Sequence, residues 1–228
     1  MIETKPESSP PVRRYRGSSA DERRDARRRQ LIEAAIRLYG QDGYRNVTVE
    51  AVCAAAGLTK RYFYETFANS EALLIAGFET VVRWLMGEIR HTGNDIADPL
   101  ARGRAKLAAY YEGIRLQPSS ARVFLVEITG VSAEVDAVFA KSLDEFASLT
   151  LETIDPNGVS FAGRDPLLRR AVTGGVHNTA LAWIAEDYAS PIERVVDVAL
   201  KVCLLLADDP ADPFRNSSPS PSQGTSHA

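Results

Sequence analysis

The chain is poor in the residues from which covalent and metal chemistry is usually built. Its 228 residues hold two cysteines, three histidines, two methionines and two tryptophans. Cys53 and Cys203 lie far apart, each inside an apolar helical pattern and without metal-ligand spacing, which excludes a disulfide framework and a zinc cluster and predicts two buried core thiols. A nucleophile elbow, HExxH, P-loop and GxGxxG are all absent, so no catalytic residue, metal or cofactor is expected. No run approaches the about 18 apolar residues that a membrane span requires. The N-terminal "MIETKPESSPPVRRYRGSS" lacks an apolar signal core, and a cytoplasmic protein with no membrane partner is the expectation.

Two-residue alternation is also missing, so strands are not expected. What is present is helical spacing in a chain that is 45% apolar with only 15 Gly and 12 Pro, enough to bury a core. Residues 1–20 mix Pro, Ser and Arg without period, and the tail from Asp208 is Pro/Ser-rich; both predict disorder. Between them the chain reads as all-α with nine helices: residues 21–68 form a three-helix N-terminal unit and residues 69–207 a helical body. Charge divides the same way. Residues 1–67 carry 13 Lys+Arg against 9 Asp+Glu, the remainder 14 against 21, an asymmetry that points to a polyanion contacted by the N-terminal part.

The first helix spans about Asp21 to Tyr39, with Ile32, Ala35, Ile36 and Tyr39 on one face and Gly40 and Gly43 available to stop it. Arg23, Arg24, Arg27, Arg28 and Arg29 crowd its first turns, either as a solvated face or as a DNA-contacting arm. Thr48 is placed to cap a second helix, with Val47 and Val52 as its hydrophobic staple, and Gly57 ends that helix. Thr59 is placed to cap a third, Lys60 to Phe67, stapled by Leu58 on Phe63. Two short helices about a Gly-containing turn make a helix-turn-helix. On the third helix Phe63 and Phe67 face inward, while Lys60, Arg61, Tyr62 and Tyr64 form a cationic and phenolic rim. That division suits a helix entering the major groove of double-stranded DNA.

The run "RRQLIEAAIRLYGQDGYRNVTVEAVCAAAGLTKRYFYETFANSEALL", Arg28 to Leu74, resembles the DNA-binding domain of TetR-family transcriptional regulators. It has that family's Gly-Tyr before the Thr cap, its Ala-Gly-Leu-Thr turn and its Tyr-x-x-Phe close. The resemblance implies phosphate contacts from Thr48, Thr59 and Tyr64 and base or groove contacts from Lys60, Arg61 and Tyr62, with Arg45 in the same DNA-facing set. The family often carries lysine where this chain has Ser70, whose hydroxyl and helix N-terminus can still hold a phosphate.

Ser70 opens a long fourth helix to about Arg90, and further helices are expected over Pro99–Leu116, Ser119–Ile128 and Ser132–Ile154. After the loop "DPNGVSFAGRDP", Asp165 and Pro166 start a helix ending near Asp187, and "SPIE", Ser190 to Glu193, reads as the capping box of the last. The last helix is apolar nearly all round and its predecessor is rich in small residues. A homodimer through these two is therefore expected, with Ala171, Gly174, Gly175, Ala182, Val195, Val196, Ala199 and Val202 at the interface. The resemblance implies the same dimer and an unknown small-molecule effector in the body, lined by candidates Trp84, Tyr110, Tyr111, Phe124, Glu127, Thr129, His177 and Asn178. The expected function is a ligand-responsive regulator, a repressor of a palindromic operator released by its effector. Two competing readings are a helical adaptor using the apolar last helix and an enzyme using His177, Glu127 and Glu186.

Overall fold

The computed structural model describes residues 19–155 and 165–206. Among them are nine α-helices and no strand: α1 (Ala20–Asp42), α2 (Val49–Ala56), α3 (Lys60–Tyr64), α4 (Ser70–His91), α5 (Pro99–Leu116), α6 (Pro118–Arg122), α7 (Ala133–Ile154), α8 (Pro166–Ala185) and α9 (Ile192–Cys203). The all-α architecture expected of the sequence is the one observed. The expected disordered arm and tail, and most of the loop after Ile154, lie outside the described residues.

Local chemistry sets most of the boundaries. Ser19 and Ala20, expected in the arm, belong to α1: Ser19 accepts a hydrogen bond from the Glu22 backbone, and its own N–H donates to the Glu22 carboxylate. Asp98, Ser132 and Asp165 cap α5, α7 and α8 with their side chains, with proline at the first helical position of α5 and α8. The capping box expected at "SPIE" does not form. Pro191 occupies the N-cap of α9 without a side-chain bond, because the Ser190 backbone is already engaged: its N–H donates to Glu186 and its carbonyl accepts from the Trp183 indole at 2.8 Å. The α8–α9 turn also holds Asp187 and Tyr188 at positive φ, with the Tyr188 ring edge-on to Trp183. Ring contact and indole bond together support a backbone conformation that bulky residues disfavour.

Two differences from the sequence expectation have a tertiary cause. Gly40, offered as a helix stop, lies inside α1, which continues to Asp42 and ends at Gly43 with φ +86°. A Cβ on Gly40 would fall 2.4 Å from the Ser119 Cα, so this glycine is where α6 crosses α1 backbone to backbone. The helix expected over Ser119–Ile128 is α6 followed by a π turn over Val123–Glu127. Val123, Phe124 and Leu125 are all buried there, while Arg122 stays at the surface.

A continuous apolar core runs from Leu31 and Ala35 of α1, through Phe63, Phe67, Leu73 and Leu74, to Tyr111, Trp183 and Ala199. The helix-turn-helix unit and the body therefore share buried side chains on α1 and α4. Helices α5, α7, α8 and α9 pack together beyond them.

The two kinds of helical glycine should separate by experiment. Gly40→Ala drives a methyl into the Ser119 backbone and should cost about 1–3 kcal/mol. Gly87→Ala, with nothing within 4 Å of its Cβ, should stabilise by about 0.5–1 kcal/mol. Urea unfolding midpoints of both variants test this, and a neutral Gly40→Ala would contradict the close crossing.

Candidate DNA interface and internal cavity

The angle between α2 and α3 is set by backbone hydrogen bonds at Gly57, which adopts φ +66° and ψ 30°. The Leu58 N–H reaches the Cys53 carbonyl at 2.9 Å and the Gly57 N–H reaches Ala54 at 3.1 Å, a Schellman closure that satisfies the end of α2. Thr48 caps α2 as expected, its hydroxyl accepting from the Ala51 N–H at 3.2 Å. Thr59 is placed otherwise: it has N-cap backbone geometry, but its side chain makes no cap bond. Helix α3 ends at Tyr64, not Phe67, yet Phe63 and Phe67 are both buried, with ring centroids 5.9 Å apart.

The rim residues present distinct faces. Arg61 is 85% exposed, held by its Nε donating to Glu65 at 2.8 Å, and Tyr64 is 61% exposed. Lys60 forms an ion pair with Glu50 of α2; that hydrogen bond holds the lysine above its ordinary pKa and the carboxyl below its own. Tyr62 is half-buried beneath Arg27, whose guanidinium carbon lies 4.4 Å from the ring centroid. Arg28 stacks similarly on Phe67 at 4.9 Å. Part of the arginine cluster on α1 is thus spent inside the unit as cation–π contacts. Asn69, not Ser70, caps α4, and the Ser70 hydroxyl lies 3.2 Å from the Tyr44 hydroxyl. Arg45 donates to the Gly130 carbonyl at 2.9 Å, tying it to the turn before α7.

Glu127 stands beside Arg45 in this joint and not in the cavity where it was expected. Its two oxygens accept from the Tyr44 N–H at 2.7 Å and the Arg122 Nε at 2.8 Å. Ser132 at the start of α7 donates to Glu71 at the start of α4.

A narrow cavity of about 70 Å³ lies among α4, α5, α7, α8 and α9, walled by residues such as Ile89, Leu107, Phe146, Leu149, Val176 and Leu200. Of the eight candidate lining residues, Tyr110, Phe124 and His177 are brought to it. Tyr111 is a buried core ring whose hydroxyl donates to the Val176 carbonyl. Trp84 is half-buried behind Gly113, and Thr129 and Asn178 are exposed. Burial lowers the His177 pKa, and its Nδ1 is buried without a partner. Sequence reasoning passed over Lys106, Thr153, Thr173 and Cys203, which also line the cavity. Burial pushes the Cys203 thiol up to about 12. A lysine at helical spacing ordinarily reads as solvated, and only burial could have flagged Lys106.

His177, Glu127 and Glu186 occupy the cavity, the joint and the end of α8 respectively, so they do not form one acid–base site. The expected dimer face is likewise corrected: Val195, Val196 and Ala199 are buried in the chain's own core, and Val202 packs on Gly175, where a Cβ would stand 2.9 Å away. The faces left open are Ala171, Gly174 and Ala182, with Leu167, on α8, and Val198 with Leu204 and Leu205 at the end of α9.

Residues 31–76, which contain this helix-turn-helix, match the family model of bacterial regulatory proteins, tetR family. That segment is of the tetR type. The chain is 28% identical over 90 residues to the HTH-type transcriptional repressor KstR2 of Mycobacterium tuberculosis, a match covering 40% of this chain and 45% of that protein. The matched segment spans less than half of the curated relatives' length. The fold extends further. The fatty acid degradation regulator FadR of Bacillus halodurans superposes with a TM-score of 0.67 at 22% identity, covering 79% of this chain and 95% of that one. FadR of Bacillus subtilis, solved in complex with stearoyl-CoA, gives 0.62 at 19% identity, with 78% and 97% covered. These two likenesses are of fold.

In this helix-turn-helix the two threonines are not equivalent. Thr48→Val should lower stability by about 1 kcal/mol through loss of the cap, whereas Thr59→Val should be near neutral. Equal losses in thermal unfolding would show that Thr59 caps α3 in solution.

Proposed function

We propose that the protein is a ligand-responsive transcriptional repressor that binds a palindromic DNA operator as a homodimer and is released by a small-molecule effector. The observation that carries this reading is the α3 rim: Arg61 and Tyr64 are largely exposed on a short helix whose inner side is locked by Phe63 and Phe67. In this reading Arg61, Lys60 and Tyr62 meet base edges or the groove, while Thr48, Thr59, Tyr64 and Ser70 meet phosphates. Thr59, free of a cap bond, has its hydroxyl available for that contact. Lys60 must exchange Glu50 for DNA, and Arg45 serves chiefly to hold the joint. The likeness to a named repressor and to the fatty acid regulators supports both the regulatory role and an acyl-type effector.

The dimer assigned here uses the outer stripe of α8 and the end of α9, where Leu167 is 77% and Leu205 60% exposed. A palindromic operator read in successive major grooves requires the two α3 helices to lie about 34 Å apart, one turn of DNA. Effector response follows from a shared element. Phe124 walls the cavity and Glu127, three residues later in the same π turn, holds the Tyr44 N–H. A ligand that displaces Phe124 pulls on the joint, and by linkage whatever weakens DNA binding is itself weakened by DNA.

Genomic-fragment selection with purified protein should return a palindrome. On that site, Arg61→Ala should lose about 1–3 kcal/mol and relax base preference, whereas Tyr64→Phe, at a phosphate contact, should weaken binding about equally across sequences. Unchanged preference in Arg61→Ala would remove its base-reading role. Leu205→Asp should yield a monomer by light scattering and lose cooperative operator binding; a dimer surviving it would place the interface elsewhere.

A further inference from the structure

The effector cavity contains a feature that an apolar ligand alone does not explain. Lys106 of α5 is 9% exposed and lines the cavity, where its Nζ donates one hydrogen bond, at 3.2 Å, to the Ile89 carbonyl. That carbonyl belongs to the last turn of α4, whose end groups lack intrahelical partners, so capping accounts for one of the three ammonium N–H groups. No carboxylate lines the cavity among the described residues. Among the described residues the acid whose charge acts on Lys106 is the exposed Glu152, which forms no ion pair with it, while Arg102 and Arg90 act on it with the opposite effect. The hydroxyls of Thr153 and Thr173 already donate to carbonyls one turn back on their own helices. Lys106 thus brings a cation, held by one carbonyl and without an ion-pair partner, to the wall of a mostly apolar space, an arrangement that an anion would complete.

We infer that the cavity takes an amphipathic carboxylic acid, with the free carboxylate on Lys106 and a slender hydrocarbon tail along Tyr110, Phe124, Phe146 and Leu149. This rests on the reading of the cavity as the effector site and specifies its ligand. The carboxylate would complete a charge-assisted hydrogen bond to the ammonium. A wide ring system would not fit the narrow space. Drawing Lys106 onto the ligand also competes with the Ile89 carbonyl, so occupancy acts on the end of α4, the helix that begins directly behind α3. A long-chain thioester would instead bring no anion to this wall, since its phosphates lie far from the tail.

Calorimetric titration of the full chain with decanoate, decanol and decanoyl-CoA tests the assignment. Wild-type protein should bind decanoate about tenfold or more tightly than decanol, and Lys106→Met, which keeps the volume and removes the buried charge, should abolish that preference. Equal affinity for acid and alcohol in the wild type overturns the inference and needs no variant to fold. So does a Lys106→Met protein that keeps the preference, or decanoyl-CoA binding more tightly than decanoate with no dependence on Lys106. Operator binding by ligand-free protein is measured separately: DNA binding without carboxylate preference sinks only the ligand assignment. Carboxylate preference without DNA binding supports the site and sinks the regulatory reading.

Discussion

The Glu127 carboxylate, only 11% exposed at its side chain, is the point on which the relation between the two halves of the molecule depends. One oxygen satisfies the Tyr44 N–H in the turn that leads to α2, and the other holds Arg122 at the end of α6. A carboxylate accepting from a backbone amide and a guanidinium in a mostly buried place is a strong and directional tie. Around it, Arg45 reaches Gly130, and Gly40 lets α6 lie against α1 with no side chain between. These contacts fix where the helix-turn-helix sits relative to the body, and the shared apolar core keeps it there.

The joint and the cavity meet on one short element. The π turn of Val123–Glu127 buries Phe124 toward the cavity and directs Glu127 to the joint. A π turn carries one more residue per turn than an α-helix and is found often at functional sites. Here it allows one five-residue segment to serve both places. The body has a second division of labour. Helix α9 spends Val195, Val196, Ala199 and Leu200 on the chain's own core and turns Val198 and Leu205 outward, so one apolar helix fills a bundle and still offers a surface to a partner.

Much of the fold and of the α3 rim was legible in the sequence, because those signals are local. A Ser, Thr or Asp before an apolar period, a proline at the first helical position, or a glycine with a left-handed backbone acts within one or two turns of chain. The lining of the cavity and the buried face of α9 were less legible. An aromatic ring or a valine at helical spacing has the same pattern whether it faces a ligand, a core or a partner, so Trp84, Tyr111 and Val195 could not be assigned by spacing. Arg27 and Arg28 read either as a solvated face or as a DNA-contacting arm, yet they stack on Tyr62 and Phe67 from α1.

By itself the sequence determined that the chain is helical, where the helix-turn-helix closes, and which side chains α3 shows outward, since each follows from neighbours in the chain and from the period of 3.6. Only the tertiary structure decided that Gly40 is a crossing and not a stop, that Glu127 belongs to the joint, that Val195 and Val196 of α9 face inward, and that Lys106 lines an apolar cavity. Each of those depends on groups brought together from distant parts of the chain. Their burial and pairing come into being only when the helices meet.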